Sequence, residues 1–210
     1  MIIHPSLFVP ALLLLVFPAD RLLSSFVELR NFDSFHTLDR AARFRAWWWV
    51  PALWIDPWRG FGGAWLLTRS LDLHFKPWDV LPPFAYSLAI AVMVLGVGAQ
   101  LVTRREPGAF LAPIGFVTGV LASLAPWTVT AIVVTIAITC MVGLRNFYAF
   151  FVAGFAAVLF LGFVMSTGPG WIVPALVALG LPVAVGLIAG RTLELPTRSA
   201  AGQRHSAGES

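Results

Sequence analysis

Between residues 80 and 190 the chain carries only four charged side chains, Arg104, Arg105, Glu106 and Arg145. All four fall in the gaps between apolar segments, which run over 79–102, 109–125, 128–144, 147–165 and 171–190. A membrane-spanning helix needs about 20 mostly apolar residues to cross the hydrocarbon layer. Each segment meets or approaches that length. Water would not tolerate so much apolar surface: 59% of the 210 residues are hydrophobic and 11% charged, against about 25% charged in ordinary soluble domains. The fold class expected is therefore all-α, a polytopic membrane helical bundle.

The first third of the chain adds two more candidate spans. Residues 5–27 are apolar except for Asp20 and Arg21, and residues 46–68 are interrupted by Asp56, Pro57, Arg59 and three glycines. Counting both gives about seven transmembrane helices. The run "SLFVPALLLLVFPAD" reads as a retained helix and not a cleaved signal, because no Lys or Arg precedes it and Phe17 stands where a small residue is required.

Basic residues orient this arrangement. With the N-terminus outside, the inner connections are 28–45, 103–108, 145–146 and the tail from 191. They hold ten of the fourteen Lys and Arg residues, while the outer connections hold only Arg69 and Lys76. Such a bias marks the cytoplasmic face, so the C-terminus is expected there, in a plasma membrane or a bacterial inner membrane. "KPWD", "APWT" and "GPGW" precede the third, fifth and seventh spans on the outer face. Proline suits a helix start and tryptophan the headgroup zone. The net charge of +4 thus reflects loop topology, and no nucleic-acid surface is expected. The polar, small-residue tail 191–210 reads as disordered. Cys140 is the only cysteine, which excludes an internal disulfide.

Chemistry is confined by the same charge distribution. Fifteen of the 24 charged residues lie between Asp20 and Asp79. Four of them, Asp20 and Arg21 on the first helix and Asp56 and Arg59 on the second, form a candidate intramembrane cluster. A lone Asp or Arg at mid-span costs about 2.5–3.5 kcal/mol on insertion scales, so pairing is expected, with Arg21 meeting Asp56 across the two helices. Pro57 removes a backbone donor, and the second helix is expected to kink or break at Asp56–Pro57. A second candidate is the amphipathic stretch 31–45 on the cytoplasmic side. Arg40, Arg43 and Arg45, followed by Trp47, Trp48 and Trp49, suit contact with lipid headgroups. Asp33, His36 and Asp39 are a weak catalytic or metal-ligand set on the same stretch. The outer loop with Asp72, His74, Lys76 and Asp79 reads as solvated or as a cap over a cavity.

Small residues at four-residue spacing, among them Gly115, Gly119 and Ser123, read as helix-packing seams, with a homodimer face as the alternative. The string "LRNF" occurs after Glu28 and after Gly143, and each copy reads as the inner end of a helix. No metalloprotease, nucleophile-elbow or phosphate-loop signature is present, and no cofactor or structural metal is expected. The leading functional reading is a binding, assembly or accessory subunit in the membrane, in contact with lipids and with a membrane-protein partner. The alternatives are a small transporter with its site at the second helix, and an intramembrane enzyme acting on a lipid-linked substrate at the cytoplasmic face.

Overall fold

The computed structural model describes residues 3–17, 27–30, 51–73, 82–102, 109–165 and 170–198. Among these, seven helices and three short strands follow one another. They are α1 (Pro5–Val16), β1 (Val27–Arg30), α2 (Pro51–Ser70), α3 (Pro83–Val102), β2 (Ala109–Leu111), α4 (Ile114–Leu124), α5 (Trp127–Leu144), α6 (Phe147–Val164), α7 (Ile172–Ala189) and β3 (Thr192–Arg198). Four helices are long and apolar enough to cross a membrane, over Pro83–Leu101, Trp127–Leu144, Phe147–Val164 and Ile172–Ala189. They match the expected third, fifth, sixth and seventh spans.

The other three expected spans are not among the four that length and apolarity qualify, and their helices differ from the expected bounds. The helix expected over 5–27 stops at Val16, and its cap Phe17 is extended at φ −67° and ψ 123°. Proline disfavours the helical region for the residue before it, and Pro18 follows Phe17. Val27–Arg30, the first "LRNF" neighbourhood, is strand and not helix end. The span expected over 109–125 is a strand, a proline and then an 11-residue helix. At about 1.5 Å per residue such a helix covers roughly half a hydrocarbon core. α2 runs unbroken through Pro57, so the expected break at Asp56–Pro57 is absent.

The second "LRNF" copy behaves as expected. Arg145 caps α5 in the left-handed region at φ 53°. Asn146 then caps α6, its side chain accepting from the Tyr148 amide at 2.8 Å. A two-residue connection leaves α5 and α6 antiparallel neighbours.

β3 corrects the expectation of a disordered tail over 192–198; residues 199–210 lie outside the described residues. It sits between the other strands in the order β1-β3-β2. Val27–Arg30 pair antiparallel with Leu195–Arg198, and Ala109–Leu111 pair parallel with Thr192–Glu194. Pro196 is tolerated because β2 occupies the opposite edge only up to Glu194, so its missing N–H interrupts no ladder there. The sheet gathers the entry to α4, the exit from α7 and the chain beyond α1 at one end of the bundle. At the other end, the His4 amide donates to the Ser70 carbonyl at 3.0 Å, tying the start of α1 to the end of α2.

Close helix approaches use glycine. Leu15 of α1 is fully buried in a notch between α2 and α3. A Cβ on Gly63 would lie 2.7 Å from the Leu15 Cγ, and one on Gly96 would lie 3.2 Å from its backbone oxygen. α4 crosses α2 closer still: a Cβ on Gly60 would overlap the Phe116 carbonyl, and one on Gly119 the Pro57 carbonyl. Gly119 belongs to the small-residue seam seen in the sequence.

Candidate functional site

The polar centre of the bundle is built where α1 ends. In a helix each carbonyl accepts from the amide four residues on, and the last turn lacks those partners. The Phe17 amide serves the Leu13 carbonyl at 3.1 Å. Leu14 would look to residue 18, but Pro18 has no N–H. α2 supplies the donor: Arg59 Nη2 donates to the Leu14 carbonyl at 3.2 Å and to the Phe17 carbonyl. α3 supplies a second one, with Gln100 Nε2 donating to the carbonyls of Leu15 at 3.2 Å and Phe17 at 3.4 Å.

Arg59 is 6% exposed and Asp56 8%. Asp56 Oδ1 accepts from Arg59 Nη1 at 2.9 Å, one helical turn away on the same helix. The two groups divide the work. Asp56 neutralises the guanidinium, and the other edge of the fork caps α1, whose C-terminus carries the negative end of the helix dipole. A cation at a partly buried helix C-terminus contributes up to about 2 kcal/mol.

Of the expected cluster, the structure brings together Asp56 and Arg59. Asp20 and Arg21 lie outside the described residues. Asp56 pairs with Arg59 within α2, and the expected Arg21–Asp56 pairing across helices falls outside the described residues. The amphipathic stretch with Asp33, His36, Asp39, Arg40, Arg43 and Arg45, and the tryptophans Trp47, Trp48 and Trp49, also lie outside the described residues, as do His74, Lys76 and Asp79. Asp72 is exposed in a turn at φ 54°. Among the described residues no three His, Cys, Asp or Glu side chains gather as a metal-ligand set.

Two features went unread in the sequence. Gln100 is one of few polar side chains in the last five apolar segments, and its isolation was the available signal. The second is a stripe on α2. Trp54, Trp58, Phe61 and Trp65 recur at steps of four, three and four residues, so they share one face, and all four are exposed, Trp58 by 76%. Arg69 extends the stripe with its guanidinium 5.6 Å from the Trp65 ring centre. The buried face of α2 holds Asp56, Arg59, Gly60, Gly63 and Ala64. Polar and small residues thus point inward and aromatic ones outward, the reverse of a helix in water.

Comparisons with protein-family models, with curated proteins and with solved structures give no match to this chain.

Proposed function

We propose that the chain is a multi-pass protein of a plasma membrane or bacterial inner membrane that serves as a binding or assembly subunit, with its N-terminus outside and its C-terminus cytoplasmic. The observation that carries this reading is the use made of the buried charges. Asp56 and Arg59 neutralise each other, and Arg59 and Gln100 complete α1. A buried pair engaged in holding two helices together suits a scaffold better than a solute path. The surface left for a partner is the aromatic stripe of α2. Tryptophan at lipid interfaces concentrates near the headgroups, whereas Trp54 to Trp65 cover about 16 Å of helix length.

Orientation has its own support. The sheet collects Arg30 and Arg198 at the end where α7 leaves the bundle, and Tyr148, three residues after Arg145, bonds the Arg191 carbonyl there. That gathers basic residues on one face, as a cytoplasmic face requires.

Gentle extraction followed by native mass spectrometry tests the assignment. A stoichiometric protein partner is expected, lost on Trp58→Ala and kept on Phe84→Ala, an exposed aromatic of α3. Recovery of the bare chain, with neither variant changing its mass, refutes the reading. A small transporter is the second reading, favoured by the α1 end that stops against the middle of α2, since interrupted helices frame transporter sites. It requires solute flux in sealed vesicles that changes with Asp56→Asn.

A further inference from the structure

Three apolar helices meet at the sheet end of the bundle with an arginine just past their limits. Arg145 lies between the end of α5 at Leu144 and the start of α6 at Phe147, and Arg191 follows the end of α7 at Ala189 by two residues. If these helices span, both arginines stand at headgroup depth.

Arg191 is held in place from several sides. Its amide donates to the Gly186 carbonyl at 3.1 Å, after Gly190 turns the chain at φ 60°. Its carbonyl accepts from the Tyr148 hydroxyl at the start of α6. Gly186 makes room for that hydroxyl, since a Cβ there would overlap it. The guanidinium carbon lies 5.1 Å from the centre of the Phe110 ring on β2. Within this frame the Arg191 Nη1 is buried and has no hydrogen-bond partner. A buried guanidinium donor without an acceptor is costly, and an unsatisfied group of this kind calls for a missing partner. Glu194, the nearest acid in sequence, alternates to the other face of β3 from Leu193, which pairs with Phe110. Arg145 is exposed, and α6 begins beside it with the positive end of its dipole.

We propose that Arg191 and Arg145, with the N-terminus of α6 between them, form a binding site for a phosphate group at the membrane face, carried by an acidic lipid headgroup or free as inorganic phosphate. The guanidinium fork matches phosphate oxygens two at a time. Arg191 as a whole is partly exposed, and a shift of its side chain that uncovers the buried Nη1 would let a bound anion give that atom the acceptor it lacks. This rests on the reading of α5, α6 and α7 as spans, and it is independent of any protein partner.

The test uses the full chain in a neutral detergent, titrated with phosphatidic acid, with phosphatidylcholine and with inorganic phosphate, followed by native mass spectrometry and thermal unfolding. Phosphatidic acid is expected to bind in preference to phosphatidylcholine. Arg191→Gln should weaken it about tenfold or more, Arg191→Lys should weaken it less, and Arg145→Gln should weaken it severalfold. Arg69→Gln, at the opposite end, should leave it unchanged. Inorganic phosphate that competes with the lipid and binds comparably identifies the free anion as the source; lipid binding without such competition identifies the headgroup. Should Arg191→Gln fail to fold, Arg145→Gln at its exposed turn carries the test. Equal binding of the two lipids by the unaltered chain overturns the proposal. So does full affinity in Arg145→Gln, or an equal loss in Arg69→Gln.

Discussion

Pro18 does two things to α1. It holds Phe17 extended, and it withholds the amide that the Leu14 carbonyl would use. Arg59 answers the second by donating to that carbonyl, and its own charge then requires Asp56. A chain of necessity therefore links a proline, an arginine and an aspartate on two helices. Arg59→Gln should lower stability by about 3–5 kcal/mol, because it breaks the buried Asp56–Arg59 pair from one side. Asp56→Asn should also destabilise, by leaving Arg59 uncompensated. The double replacement should cost less than the sum, with a coupling of about 0.5–3 kcal/mol; unfolding of the four proteins in detergent measures it. Strict additivity would mean that the pair is not the unit described. Gln100→Leu removes one neutral donor and should cost only about 1 kcal/mol. The sequence showed that Asp56 and Arg59 needed partners, since an isolated mid-span charge is expensive. It could not show which partner, because an i, i+3 pair and a cross-helix pair cost the same on paper.

At the scale of elements, the long apolar helices were readable because length and hydropathy suffice to define them: α3, α5, α6 and α7 fall within a few residues of their expected limits. The short ones were not. α1 and α4 come from runs that look continuous by hydropathy, and single prolines, Pro18 and Pro113, set their boundaries. β3 was hidden by composition: the alternation in "TLELPTR" is a strand signal, set in a stretch whose small and polar residues suggest disorder. Glycine decides how these elements meet. Gly119→Ala should push α4 off the Pro57 carbonyl and cost about 1–3 kcal/mol, the usual range for overpacking. Gly143→Ala meets nothing within 4 Å and should be neutral or stabilise by up to about 1 kcal/mol through helix propensity. Thermal unfolding of the two variants side by side separates crowding from any general intolerance of alanine. Ending the chain after Arg191 removes β3 and with it the pairing of β1 and β2. It should lower the unfolding midpoint by more than about 4 °C.

For the whole molecule, the proposed orientation makes a claim about which end of the bundle faces the cytoplasm. The two ends are distinct in the structure. One has the sheet, with Arg30 and Arg198 on its strands and Arg145 and Arg191 beside it. The other has the contact of His4 with Ser70 and the turn at Asp72. Positive charge resists translocation, so the proposed orientation puts the sheet end inside. A membrane-impermeant thiol reagent reads this directly, after Cys140→Ser removes the native thiol. Asp72→Cys and Arg145→Cys place single thiols in exposed turns at opposite ends. In right-side-out vesicles Asp72→Cys should label at once, and Arg145→Cys should label only after the membrane is opened. In inverted vesicles the pattern should reverse. Labelling of both from one side would mean an even number of crossings between those turns, and the assignment of three there, by α3, by the β2–α4 segment and by α5, would fail. Labelling of Arg145→Cys alone from outside would instead invert the orientation while leaving every span in place. It would also move the arginine-rich end, and the phosphate site proposed there, to the outer leaflet.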